Sequence, residues 1–137
     1  MNKHESTPLI VVNAAQSPVG RIASYTAKQA LLGKEVRVVQ CAQALLSGRR
    51  RMVIHEYLQT VLRGGHSLKG PKWSKRSPER IMKRTIRGML SHKMGRGEAA
   101  FARIRCYDAL PAEYATTPAH KLPAGRGMTL AELAKEL

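Results

Sequence analysis

The sequence predicts a single α/β domain, and three observations carry that reading. The first apolar stretches run strand, helix, strand within about thirty residues, the spacing of a βαβ unit. The strands are short, aliphatic and β-branched, as in a sheet covered on both faces. With 137 residues, 43% of them hydrophobic, such a chain buries about two thirds of its unfolded surface and needs no metal or disulfide to hold a core. The length suits one domain.

Taken in order, Leu9 to Val12 reads as a buried strand ended by Asn13. Pro18 lies near the first turn of the helix that follows, in which Val19, Ile22, Ala23, Thr26, Ala27, Ala30 and Leu31 recur at spacings of three and four until Gly33 stops it. Val36 to Cys41 is the second strand. After Ser47 and Gly48, Arg49 to Leu62 forms a second helix with Ile54, Tyr57, Leu58, Val61 and Leu62 on one stripe. Residues 64–76 hold glycines, a proline, four cations and the only Trp, which predicts a basic loop with at most a brief strand near Trp73. Ser77 is positioned as N-cap and Pro78 as N1 of a third helix running to about Leu90. A short helix over Glu98 to Arg103 precedes a last strand, Ile104 to Tyr107. Beyond Leu110 the composition turns to Pro, Ala, Thr and Gly, as in an extended surface segment. Thr129 and Glu132 are spaced as a capping box for a final helix, Leu130 to Leu137, which is too short to stand alone and must dock through its leucines. The expected organisation is a flexible N-terminus (1–8), one domain (9–110) that includes basic loop 64–76, and a tail (111–137).

The charge is the strongest pointer to function. The chain has 24 Lys plus Arg against 9 Asp plus Glu, a formal charge of +15. Residues 49–105 hold 16 of those cations and three acids, hence 13 of the 15 net charges. These cations are interleaved with periodic apolar residues, so they belong to a folded surface and not to a basic tail. Charge of this size repels itself unless a polyanion neutralises it, which points to nucleic acid or an anionic membrane. No apolar run approaches the roughly 20 residues of a bilayer span, and the N-terminus lacks the apolar core of a signal peptide; a soluble protein made in the cytosol is expected.

The third helix concentrates the signal. At 100° per residue Arg80, Lys83, Arg84 and Arg87 share about a 100° arc, with Met82, Thr85, Ile86 and Met89 on the other side. Like charges at such spacings cost a few tenths of a kcal/mol per pair, so an anionic partner is expected. Ser91 to Gly97 follows, placing His92, Lys93 and Arg96 among glycines that let backbone amides approach phosphate. Only 4% of residues are aromatic, too few for base-stacking platforms, so recognition through phosphates and groove shape is favoured. A zinc finger and a basic zipper are absent, and helix-turn-helix fits poorly because the basic loop separates the second and third helices. Structured RNA fits better than sequence-specific DNA.

Catalysis has no candidate constellation. The turn NAAQSPVG after the first strand lacks the glycines of a dinucleotide or P-loop site. The five histidines show no HExxH spacing, and Cys41 and Cys106 match no zinc or disulfide framework. Both cysteines are expected to be reduced, buried and passive. No cofactor or metal is expected. The alternatives left open are a small nucleotide-binding enzyme of Rossmann-like fold and a free DNA-binding regulator.

Three stretches together resemble the universal L-thirteen family of large-subunit ribosomal proteins, in its archaeal and eukaryotic form: VVNAAQSPVGRIAS (Val11 to Ser24), ALLSGRR (Ala44 to Arg50) and TIRGMLSHKMGRGEAAFARIRCYDALP (Thr85 to Pro111). The resemblance covers about residues 9 to 114 and departs at Ala109, where the family pattern usually has Gly. It implies a three-layer α/β/α fold with a short, mainly parallel sheet of about four strands, and a structural, non-catalytic role in the large ribosomal subunit, in the cytoplasm. Its implied partners are large-subunit rRNA and neighbouring ribosomal proteins, with no membrane and no homo-oligomer. RNA contacts are expected from Arg21, from Arg49, Arg50 and Arg51, from Lys69, Lys72, Trp73, Lys75 and Arg76, from Arg80, Lys83, Arg84 and Arg87, and from His92, Lys93 and Arg96.

Overall fold

A computed structural model describes residues 8–62 and 77–136. The basic loop 64–76, with Lys69, Lys72, Trp73, Lys75 and Arg76, and nearly all of the N-terminal segment lie outside the described residues.

The α/β class follows as expected. Strand β1 (Leu9–Asn13), helix α1 (Val19–Leu31) and strand β2 (Glu35–Val39) form the opening unit, with β1 and β2 parallel and Val12 opposite Val38. The helix buries the face that its periodicity marks: Val19, Ile22, Ala23, Thr26, Ala27 and Ala30. It stops at Gly33, whose φ of +93° is a left-handed conformation that side chains disfavour and glycine adopts freely. β2 ends two residues earlier than its apolar run suggests, because Gln40 takes a left-handed φ of 58° and a 3₁₀ turn, Cys41–Gln43, begins at once.

Helices α2 (Arg50–Leu62), α3 (Pro78–Gly88) and α4 (Gly95–Ala102) lead to β4 (Ile104–Cys106), which runs parallel beside β2. Val12, Val36, Val38 and Ile104 of the sheet pack with Ile22 of α1, and with Met82 and Ile86 of α3, in one continuous core. Val11 and Val39 point to the opposite face and are also buried, which explains why both strands read as nearly unbroken apolar runs.

The tail holds the main surprise. Within the residues that composition assigns to an extended surface segment, Ala119–Lys121 is exposed yet forms β5, parallel to β1, with Val12 opposite His120. The sheet order is therefore β4-β2-β1-β5. Two successive crossovers step one way across the sheet and the last, through a 3₁₀ turn at Ala112–Tyr114, steps back. A consistently right-handed path carries that return over the face opposite the helices. Its contact with Arg37, whose Nε donates to the Tyr114 hydroxyl at 3.3 Å, accords with that placement. Ala109 needs no glycine, since the positive-φ residues other than glycine among those described are Gln16 and Gln40.

Two short strands, β3 (Leu45–Leu46) and β6 (Met128–Thr129), pair antiparallel and deliver α5 (Leu130–Glu136) onto α3 and the Cys41–Gln43 turn. One half of the capping box forms as its spacing predicts, the Glu132 N–H donating to the Thr129 hydroxyl oxygen at 3.2 Å, while the Glu132 carboxylate accepts from Arg50 instead of reaching back to Thr129. Leu130 and Leu133 are wholly buried.

Candidate nucleic-acid interface

Helix α3 positions the densest set of cations. Ile81, Met82 and Ile86 are buried on the core side, whereas Arg80, Arg84 and Arg87 are exposed. Ser77 occupies the N-cap position, and its carbonyl accepts the N–H groups of Arg80 and Ile81 at 3.1 and 2.9 Å. Its side chain makes no cap; Asp108, from the loop after β4, accepts the Glu79 N–H at 2.8 Å instead. A carboxylate at a helix N-terminus opposes the positive end of the helix dipole and so stabilises α3. That link fixes α3 against the end of the sheet.

Two residues of this helix depart from their expected places. Lys83 turns inward: its Nζ donates to the carbonyls of Ile104 and Phe101, the latter at 3.4 Å, and sits 4.3 Å from the Phe101 ring centre. The Phe101 carbonyl lies in the last turn of α4, where a cation satisfies an orphan acceptor and the negative helix end, and the Ile104 carbonyl opens β4. Burial lowers the Lys83 pKa from its ordinary value of 10.5. Met89, placed by periodicity on the core side, is 46% exposed, because the helix ends at Gly88 and Met89 belongs to the turn beyond it.

Of the segment read as a glycine-rich loop, residues 91–94 are a turn and Gly95 to Gly97 already belong to α4, which starts three residues earlier than its composition suggests. Its intrahelical ladder begins with the Glu98 N–H donating to the Met94 carbonyl at 2.9 Å. The preceding amides of Gly95, Arg96 and Gly97 are thus first-turn donors, the arrangement with which helices receive anions. Gly97 is there for packing: a side chain would collide with the Ser91 backbone. Lys93 and Arg96 are exposed beside this turn, and His92 is half-buried with its Nδ1 enclosed.

Arg21, on the first turns of α1, is exposed, as are Arg49, Arg50 and Arg51 at the start of α2. Arg50 meets acids of its own chain, Glu132 at 3.4 Å and Glu136 at 3.8 Å, both on α5. Among the described residues, Arg49, Arg51, Arg80, Arg84, Arg87, Lys93 and Arg96 have no such partner. One cation that the sequence reading omitted joins them. Lys28 of α1 lines an open groove of about 390 Å³ with Arg96, Ser24, Ala27, Leu31, Leu32 and Met89, a juxtaposition of α1 with the α3–α4 corner that only the fold creates. By contrast Arg103, inside the basic stretch, is spent internally: its guanidinium donates to the Ala30 carbonyl at the end of α1 at 2.9 Å.

The family model for ribosomal protein L13 matches residues 7–113. The chain is similar to the large ribosomal subunit protein uL13 of Methanosarcina barkeri, at 42% identity over 110 residues, covering 80% of this chain and 77% of that protein. It is also similar to uL13 of Methanococcus maripaludis, at 41% over 106 residues (75% and 77% of the two chains). The uL13 of Thermoplasma volcanium is 35% identical over 133 residues, 93% of this chain and 96% of that one, so the likeness extends through the tail.

Proposed function

The chain belongs to the ribosomal protein L13 family, and we propose that it binds large-subunit rRNA through one cationic surface made by the outer face of α3, the first turn of α4 and the entrance to α2. It is a large-subunit ribosomal protein, with a structural role and not an enzymatic one. Neighbouring ribosomal proteins share its surroundings in the particle.

The observation that supports the RNA reading best is the division of α3. Its buried side ties it to the sheet, and Arg80, Arg84 and Arg87 on the other side are exposed without an acid among the described residues to neutralise them. The backbone of a packed helix is already ordered, so binding has to fix only the arginine side chains and not the segment that carries them. Phosphate oxygens accept from their forked donors, and backbone contacts of this kind set position without reading sequence. The first-turn amides of α4, with Lys93 and Arg96 beside them, offer a second phosphate site. Arg21, Arg49, Arg51, His92 and Lys28 extend the surface. Lys69, Lys72, Trp73, Lys75 and Arg76 enter on their sequence alone. Lys83 supports the surface from within.

The test is the salt dependence of affinity for a large-subunit rRNA fragment. Each phosphate neutralised on a duplex contributes a log–log slope of about −0.9, so several contacts give a steep line. Replacing Arg84 and Arg87 with Ala removes roughly two contacts' worth of slope and weakens related RNA helices alike. A flat salt response, or loss confined to one base sequence, contradicts this reading.

A further inference from the structure

The two cysteines, 65 positions apart in the sequence, are brought together by the fold. Cys106 ends β4 opposite Val38 of β2. The left-handed backbone at Gln40 then swings the chain so that the Cys41 N–H donates to the Tyr107 carbonyl at 3.0 Å, while the Tyr107 N–H donates to the Val38 carbonyl at 2.8 Å. Both side chains fall on the helical side of the sheet, Cys41 inside the core and Cys106 packed against it. The Cys41 thiol donates to the Val38 carbonyl at 3.7 Å. Its other neighbour is the Cys106 thiol, and that hydrogen-bonding contact, with burial, drives the Cys41 thiol far above its ordinary range.

The two sulfurs differ in access. Cys41 is buried and Cys106 is only half-buried. The Lys83 ammonium, held on the Ile104 carbonyl two residues before Cys106, interacts electrostatically with that thiol. A half-buried thiol with a second, buried thiol behind it is the arrangement of an attacking and a resolving thiol.

We propose that Cys41 and Cys106 are a site of reversible oxidation, closing an intramolecular disulfide when the chain meets a hydroperoxide. The Cys106 thiol gives its proton to solvent and the thiolate attacks a peroxide oxygen. The O–O bond breaks, hydroxide leaves and is protonated to water, and Cys106 is oxidised by two electrons to a sulfenic acid. The Cys41 sulfur then attacks the Cys106 sulfur; the S–S bond forms as the S–O bond breaks, and the departing hydroxyl leaves as water with the Cys41 proton. Two thiols and one hydrogen peroxide become one disulfide and two waters. The ring so closed contains α2, α3, α4 and all of residues 49–105, so the bond fastens both ends of the cationic part of the chain to each other.

The experiment treats the purified, reduced full-length chain with stoichiometric hydrogen peroxide and follows intact mass. The expected product has lost the mass of two hydrogens, yields a Cys41–Cys106 linked peptide on digestion, reverts with a dithiol and melts at a higher temperature than the reduced form. In Cys41→Ala, Cys106 accumulates as a sulfenic acid that a dimedone reagent captures. In Cys106→Ala, Cys41 stays unmodified at the same dose. Should the buried Cys41→Ala fail to fold, the wild-type chain decides by itself. Oxygen added to Cys106 without a bond to Cys41, or chains joined to one another through Cys106, would overturn the proposal.

Discussion

The entrance to α2 and the outer face of α3 carry arginines of the same kind at comparable exposure, and their surroundings differ in one respect. Arg50 is answered from within the chain, by Glu132 and Glu136 on α5. Arg80, Arg84 and Arg87 face no acid among the described residues, although Glu79 stands next to them in sequence; its backbone N–H is held by Asp108. The difference shows that counting cations overstates a binding surface. What matters is which positive charges the fold leaves without an internal counter-charge, and α3 presents three of these, Arg80, Arg84 and Arg87, on one packed helix.

The largest effect on the comparison comes from beneath the surface. Ile86 is wholly buried where α3 packs into the core. Replacing it with Ala removes apolar contact and leaves a cavity, which costs about 2–5 kcal/mol of stability, measured by denaturant unfolding. Binding of RNA then falls because α3 no longer presents its arginines from a fixed base. If binding persisted undiminished with that helix loosened, prior packing would not be what makes α3 the stronger surface.

Next in size is the contrast between the two arginine sets themselves. Arg84→Ala with Arg87→Ala is expected to reduce rRNA affinity by about tenfold or more at moderate salt, whereas Arg50→Ala, which also ends an ion pair, is expected to change it much less. Filter binding across a salt series measures both. Equal losses would erase the distinction between answered and unanswered cations.

Lys83 tests the comparison from the other direction, since it shares the arc of these arginines but spends its charge internally. Lys83→Met is expected to leave the salt slope close to that of the wild type while lowering stability, as the Phe101 and Ile104 carbonyls lose their donor. Its titration has a definite sign. Burial holds the folded pKa below 10.5, so just under that value the unfolded chain binds more protons and stability rises with pH; Lys83→Met abolishes the rise. Tyr57 works the opposite way, because burial raises its pKa above 10.0 and stability then falls as pH climbs past that point. Urea unfolding between pH 8 and 11, in wild type and variant, separates the two.

Much of this was readable from periodicity and capping chemistry, because those signals act over a few residues. The buried stripe of α1, the division of α3 and the Thr129–Glu132 cap are all of this kind. What escaped reading depends on partners distant in the chain. Ala119–Lys121 has no apolar alternation and is exposed; it becomes a strand only because β1 offers it a free edge. The inward turn of Lys83 is decided by carbonyls 18 and 21 positions later, and nothing in the spacing of Arg80, Lys83, Arg84 and Arg87 separates the lysine from its neighbours. The cap on α3 is similar, for Ser77 sits where a cap should be and Asp108 supplies it. Lys28 joins Arg96 at one groove only once α1 packs against the α3–α4 corner.

The smallest expected effect is also the most direct probe of the contrast between the two arginine sites. Glu132→Gln with Glu136→Gln keeps the shape of α5 but withdraws the charges that answer Arg50. Exposed ion pairs of this type contribute about 0–1 kcal/mol to stability, so unfolding should shift little. The Glu132 N–H still reaches the Thr129 hydroxyl, which preserves the cap. If internal neutralisation is what weakens the α2 entrance, freeing Arg50 should raise rRNA affinity by roughly two- to threefold at low salt, steepen the salt slope by a fraction of one contact, and lose the gain at high salt where the field is screened. The same pair of changes made together with Arg50→Ala should gain less, since the cation they release is gone. An equal gain in both backgrounds would mean that only the overall charge counts.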